Sequence, residues 1–139
     1  MTEKYYLDTC IWHDHYENRI GKTGKILGEY ATNLFKKIID NKDKILFSKL
    51  TYSELKTSYS QEEVDDMLNL LFLMDILEKV NISDSQLLES IKISSERNIP
   101  RGDVLHAVLA RDNQVVLVTQ DKHFEALKDI TIIKKPEEI

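Results

Sequence analysis

Short apolar runs alternate with longer amphipathic stretches along this chain, and that alternation predicts an α/β fold. KYYLD (4–8) reads as a buried strand that stops at a carboxylate. ILFS (45–48), ILEKV (76–80), VVLVT (115–119) and TIIK (131–134) read the same way. VVLVT is continuous and β-branched, as a strand buried on both faces should be. TIIK reads as an edge strand stopped by Pro136. Helical patterns lie between. A helical turn follows the first strand through IWHDHY, and Ile26, Leu27, Tyr30, Leu34 and Ile38 predict a helix over 25–39. Thr51 with Glu54, and Ser60 with Glu63, each match the S/T-x-x-E pattern that closes a helix N-terminus. The second precedes the strongly apolar VDDMLNLLFLM (64–74). Ser83 caps a helix reaching about Arg97, Pro100 opens another through Ala110, and HFEAL forms a short helix after the fourth strand. ENRIGKTGK (17–25) and NKDK (41–44) are polar breaks.

Apolar strands alternating with helices predict a three-layer α/β sandwich: a central, mainly parallel sheet of four to five strands with helices on both faces. At 139 residues the chain fits one domain, 1–139, with no linker or internal repeat. Ligands of such sheets collect at the carboxyl ends of the strands.

Composition narrows the classes. No stretch approaches the ~20 apolar residues of a membrane span. LLFLM (70–74) is the longest apolar cluster, and Asp75 and Glu78 interrupt it. The start, MTEKYYLD, lacks a basic segment followed by an apolar core, and the single Cys10 makes no internal disulfide. Together these features favour the cytoplasm. The net charge of −5 weakens a nucleic-acid hypothesis without excluding it, because clustered carboxylates contribute to it and a divalent cation reverses their local effect.

Four acids stand where strands end or helices begin: Asp8 after KYYL, Glu54 in SKLTYSEL, Asp103 in IPRGDVLHAVLA and Asp121 in VVLVTQDKHF. Each has a plain structural explanation. Asp8 and Asp121 suit helix caps, Glu54 suits its capping box, and Asp103 meets a helix dipole in the first turn. Taken together they suit one site built from distant segments, whose hard oxygen ligands fit Mg²⁺ or Mn²⁺.

YLDTCIW (6–12), LTYSEL (50–55), IPRGDVLHAVLA (99–110) and LVTQDKHFEAL (117–127) together resemble the PIN-domain family of metal-dependent ribonucleases, especially the VapC-type toxins of VapBC toxin–antitoxin pairs. The specific pieces are the D-x-x-H-A helix and the strand ending in T-x-D-x-H-F. The likeness runs from Tyr6 to about Ile133. It implies a PIN-like fold and an endoribonuclease in which Asp8, Glu54, Asp103 and Asp121 hold one or two Mg²⁺ or Mn²⁺ ions. It also implies an RNA substrate, a homodimer, and an antitoxin segment lying across the acidic groove. Carboxylates gathered in this way repel one another, so without metal at least one carries a raised pKa.

Other residues divide between site and scaffold. Thr9 and Thr119 lie beside the acids, where their hydroxyls can orient a carboxylate or a metal-bound water, although a strand-end Thr is an ordinary feature. His106 and His123 read as hydrogen-bonding neighbours rather than ligands, because the implied ions prefer oxygen. Lys49, Arg101 and Lys122 are candidate RNA phosphate contacts, with Arg19, Lys22 and Lys25 on the early loop; a solvated surface explains any single one equally well. Tyr6 reads as core, Trp12 as either core or a stacking platform, and Phe124 and Leu127 as core anchors. Residues 64–74 carry more apolar side chains than one buried face needs, which suits a dimer or antitoxin contact.

Three other patterns fail. GKT (21–23) lacks the glycine of a phosphate loop, since Tyr16 stands there. DTC lacks the second acid of an aspartate phosphatase, and the receiver-domain pattern lacks its adjacent acids. Cys10 has no partner to activate it as a nucleophile. Two rivals to the toxin remain: an RNA-processing nuclease without an antitoxin, and a non-catalytic PIN-type module binding RNA or protein.

Overall fold

The computed structural model describes residues 2–139 and contains a five-stranded sheet in the order β3-β2-β1-β4-β5. The strands are β1 (Lys4–Leu7), β2 (Lys44–Phe47), β3 (Leu77–Lys79), β4 (Val116–Val118) and β5 (Ile133–Lys134). Every pairing is parallel. Parallel neighbours need crossovers, and helices supply them: α1 (Thr9–Glu17), α2 (Leu27–Asn41), α3 (Lys49–Leu55), α4 (Gln61–Leu73), α5 (Asp84–Arg97) and α6 (Arg101–Asp112). A 3-10 helix over Lys122–Leu127 leads from β4 towards β5.

The alternation of side chains along each strand divides the core in two. Leu7, Ile45, Phe47 and Val118 face α1, α2, α3 and α4, meeting Ile11, Trp12, Leu34, Ile38, Leu55 and Val64. Tyr6, Leu46 and Leu117, adjacent in register, face the other way onto α6 and the 3-10 helix. Both faces are therefore covered, as the apolar strand sequences require. Phe124 and Leu127 are fully buried anchors. Trp12 is buried edge-on against Phe35, so it belongs to the core rather than to a surface that stacks on bases.

The elements differ from the sequence expectation at their ends. The turn expected after β1 is a full helix, α1, and the helix expected from Lys25 begins at Leu27. TIIK pairs only through Ile133 and Lys134. The informative difference is in α3. Thr51 is not its N-cap; Ser48 is, with extended backbone, and the Ser48 N–H donates to Thr51 Oγ1 at 3.4 Å. Two Ser/Thr residues three apart make both frames look plausible, but β2 ends at Phe47 and so Ser48 is the residue at the turn. Glu54 then falls in the last turn of α3, free of any capping duty. The Ser60–Glu63 and Ser83–Gln86 boxes form as expected.

Among the described residues, no helix is long and apolar enough to cross a membrane.

Residues 18–27 fold back tightly because Gly28 lets them. The Gly28 N–H donates to Arg19 O at 2.8 Å. A Cβ there would sit 2.5 Å from Asn18 Cα, and this neighbour is backbone that cannot rotate away. Gly28→Ala should therefore lower stability by about 1–3 kcal/mol, the usual range for overpacking, read as a lower urea midpoint with an unchanged m-value.

Candidate metal centre

The sheet order places a crevice where strand progression reverses. From β1 the chain builds β2 and β3 on one side, then returns to build β4 and β5 on the other. Crossovers leave in opposite directions from β1 and β4, and ligands of open α/β sheets enter at such switch points. Asp8 follows β1, and Thr119 and Asp121 follow β4.

Asp8 is only 6% exposed. Its Oδ1 accepts from the Thr9 N–H at 2.8 Å, and its Oδ2 accepts from the Thr119 hydroxyl at 2.8 Å and the Cys10 thiol at 3.1 Å. Asp8 is thus the N-cap of α1 and a member of the crevice at once. Thr119 Oγ1 also accepts from the Asp121 N–H at 3.0 Å, so one buried hydroxyl joins the two strand ends. Burial and the Asp8 charge push the Cys10 thiol well up, which keeps it protonated and unreactive.

Glu54 reaches the same crevice from α3. Its Oε1 accepts from the Thr9 hydroxyl at 2.6 Å and from His106 Nε2 at 2.6 Å. His106 lies fully buried on α6, one turn beyond Asp103, and its Nδ1 meets the Tyr6 hydroxyl at 2.7 Å. Tyr6 in turn bonds Ser48 Oγ at 2.7 Å. Burial alone would lower the imidazole pKa. Tyr6, Glu54 and Asp8 outweigh it and raise His106 to about 10, so the ring is a cation through the neutral range. Burial likewise raises Glu54, and the His106 cation with the Thr9 hydroxyl reverses the sign and holds it below its ordinary value. Both ring nitrogens are thereby committed. This favours His106 as a holder of Glu54 over the alternative, in which Asp8, Glu54 and His106 ligand atoms, all within 4.8 Å of one another, bind an ion as a trio.

Asp103 and Asp121 form a second group with His123, again with ligand atoms within 4.8 Å of one another. His123 Nδ1 is 3.4 Å from Asp121 Oδ1 and 3.9 Å from Asp103 Oδ2, on a largely exposed ring. Asp121 also caps the 3-10 helix, accepting from the His123 N–H at 2.9 Å. Asp103 is raised to about 6, first by burial, then by the charges of Asp8 and Asp121, with Glu54 contributing less. The charges of the three other acids therefore all reach Asp103.

Gly102 sets the approach of α6, since a Cβ at this position would stand 3.1 Å from Glu54 Oε2. This close passage, the Tyr6–Ser48 brace and the charge on His106 carry no motif of their own. The D-x-x-H spacing is the one signal that marks His106 as facing Asp103 along the helix.

The expected basic contacts separate. Lys49 and Arg101 are exposed in the first turns of α3 and α6. Lys22, Lys25 and Lys122 line a cleft beside Asp121. Arg19 instead pairs with Glu17 at 2.9 Å.

The donor set fits a hard divalent cation: carboxylate oxygens, hydroxyl groups positioning them, and negative charge that one buried cation, His106, offsets only in part. Because its pKa lies above the ordinary 3.8, Asp103 makes the folded chain bind an extra proton between about pH 4 and 6, and its contribution to stability falls as pH rises through that window. Asp103→Asn should then stabilise the metal-free chain near neutral pH by about 1 kcal/mol, once solvent screening is allowed for. A purely structural role in the α6 first turn gives the opposite sign, and thermal unfolding in EDTA distinguishes the two.

The comparisons with known proteins agree with this architecture. The chain resembles VapBC2 of Rickettsia felis, solved bound to a DNA fragment from their promoter, with a TM-score of 0.65 at 20% identity, covering 95% of this chain and 98% of that one. It resembles a toxin–antitoxin complex from Klebsiella pneumoniae with a TM-score of 0.66 at 18% identity, covering 97% and 99%. VapBC-1 of nontypeable Haemophilus influenzae gives 0.65 at 20% identity, covering 96% and 98%. A sequence search of curated proteins finds no match. The sequence profile of the PIN domain matches residues 5–130, nearly the whole chain. With the switch-point crevice and the parallel sheet, that match places this chain in the PIN domain family.

Proposed function

We propose that this chain is a metal-dependent endoribonuclease, the toxin of a type II toxin–antitoxin pair, acting on RNA in the cytoplasm. The observation that carries the proposal is the convergence of Asp8, Glu54, Asp103 and Asp121 from four separate elements on one crevice, where burial first and then the charges of the other acids push Asp103 up to about 6. These carboxylates would hold Mg²⁺ or Mn²⁺. When bound, such an ion makes water nucleophilic near neutral pH and offsets the charge that builds on a phosphate under attack.

The chain's own groups prepare that crevice. Thr119 fixes one oxygen of Asp8, and Thr9 with His106 fixes one oxygen of Glu54, so the remaining lone pairs have set directions. Asp103 would be one of the oxygen donors to such an ion, whose charge would offset the repulsion from Asp8 and Asp121. Lys49, Arg101 and Lys122 would meet phosphates of the substrate strand.

The partner assignment rests on a groove on the far side of the sheet from α6. About 410 Å³ lies between α1, α2 and α4, lined by Trp12, Phe35, Met67, Leu70 and Met74. The buried Trp12 indole N–H has no acceptor among the described residues. Of the apolar residues in 64–74, Val64, Leu68 and Leu71 enter the core, while Leu70 and Met74 are exposed along the groove, where an apolar antitoxin segment would lie. The exposed row Leu87, Leu88 and Ile91 on α5 is the face we assign to a second copy in a homodimer. The solved structures it resembles, described as toxin–antitoxin complexes, support the toxin over an RNA-processing nuclease without an antitoxin. The complete set of acids supports either over a non-catalytic binding module.

Asp8→Asn and Asp103→Asn should each reduce Mn²⁺-dependent cleavage of total RNA by at least about a hundredfold, more than the loss of a residue that only orients a ligand causes, with the circular dichroism spectrum unchanged. EDTA should abolish cleavage by the parent chain. Activity surviving in both variants, or in EDTA, refutes the mechanism.

A further inference from the structure

The crevice opens on one side into a cleft of about 590 Å³, walled by the loop before α2, the 3-10 helix after β4 and the end of β5. Six lysines line it: Lys22, Lys25, Lys122, Lys128, Lys134 and Lys135. Against them stand three carboxylates, those of Asp121, Glu125 and Glu138. On a chain with a net charge of −5 this is a local reversal of sign. Lys25 is committed to Glu137 at 2.7 Å and Lys128 to Glu125 at 2.9 Å. Among the described residues, Lys22, Lys122, Lys134 and Lys135 form no ion pair, although acids are plentiful on this surface. Like charges brought together without partners raise the free energy of the bare protein, and an anion relieves that cost.

The chemistry of the lining says which kind of anion. Lysine is a compact point charge on a flexible stem, with none of the planar fork through which arginine grips one carboxylate or one base. The lining aromatic, Phe124, is wholly buried and offers no ring face for a base to stack on. The cleft is therefore equipped for phosphates spaced along a strand and poorly equipped to read bases. It also shares Thr119 and Asp121 with the acidic crevice, so a strand lying in it runs into the carboxylates without crossing open surface.

We infer that the lysine cleft binds the sugar–phosphate backbone of single-stranded RNA immediately to one side of the bond presented to the four acids. This inference rests on the nuclease proposal for the direction in which the strand continues. It assigns the division of labour at the site: the cleft supplies affinity without sequence preference, and the acids supply the cation and the reaction. It also explains how an acidic protein retains a polyanion next to its own carboxylates.

The test is fluorescence anisotropy with a labelled 20-nucleotide single-stranded RNA and the full chain in EDTA, across a salt series. The triple variant Lys22→Ala, Lys134→Ala, Lys135→Ala should bind at least about tenfold more weakly at low salt. The slope of log affinity against log salt should shrink by about 0.7 for each phosphate that is no longer neutralised. Lys42→Ala, on the remote end of α2, should match the parent chain. Mn²⁺ binding by calorimetry should be the same in the triple variant, and its cleavage should show a raised KM with kcat retained at saturating RNA. Unchanged RNA affinity and salt slope in the triple variant overturn the inference. So does competition by poly-glutamate as effective as that by unlabelled RNA, which would mark the cleft as a site for an acidic protein. Cleavage with lysine-independent binding removes the cleft and leaves the nuclease. Lysine-dependent binding without metal-dependent cleavage removes the nuclease and leaves the cleft as an RNA site.

Discussion

Repulsion among carboxylates is the constraint around which this structure is arranged. Asp8, Glu54, Asp103 and Asp121 would separate in a flexible chain, and each is held by something that has no freedom to follow. Asp8 is tied to the end of the central strand and to Thr119 on its neighbour. Glu54 is tied to a buried cation whose other nitrogen is braced by Tyr6. Asp103 is carried by α6, whose residues 104–110 are all buried. The fold absorbs the cost in its two apolar layers. The residual strain appears where burial and neighbours add most, as a carboxyl group that stays partly protonated near pH 6.

The tie between Glu54 and His106 shows why a buried charge is tolerated at all. An isolated imidazolium in a dry interior is expensive, and so is an unpaired carboxylate. Here each stabilises the charged form of the other, while Tyr6 meets the second ring nitrogen and Thr9 donates to the same Glu54 oxygen as His106. Glu54 is thereby fixed by atoms belonging to α1, β1, α3 and α6, the elements that meet at the switch point. The site and the core are not separable parts of this molecule.

Much of this was legible in the sequence, and the limits have physical causes. Continuous apolar runs announced strands buried on both faces, and the parallel sheet follows because every strand is separated by a helix or a long crossover. The acids were visible because they end those runs. The frame of the α3 cap was not visible, because Ser48, Thr51 and Glu54 sit at equal spacing and two capping boxes fit the same letters. Only tertiary structure decides where β2 stops. The charge on His106 was equally hidden, since a D-x-x-H spacing gives a direction but not the hydroxyl and the carboxylate waiting at the other end. Lys128, Lys134 and Lys135 gave no signal for a simpler reason. They come from the last part of the chain and approach Lys22 only once β5 pairs with β4. Trp12 resolved in favour of the core because α2 supplies Phe35 against its edge.

The corrected start of α3 makes this short helix a ruler. Ser48 pins one end to the sheet, and Glu54 stands six residues on, in its last turn. One residue added or removed between them would swing the carboxylate by about 100° around the helix axis and shift it by about 1.5 Å. The carboxylate would then turn away from Thr9, His106 and the three other acids, while the cap, the apolar layers and the local composition stayed nearly intact. Length in this segment is therefore more tightly constrained than residue identity. An alignment that tolerates a gap between β2 and Glu54 would lose the fourth acid without any substitution to announce it.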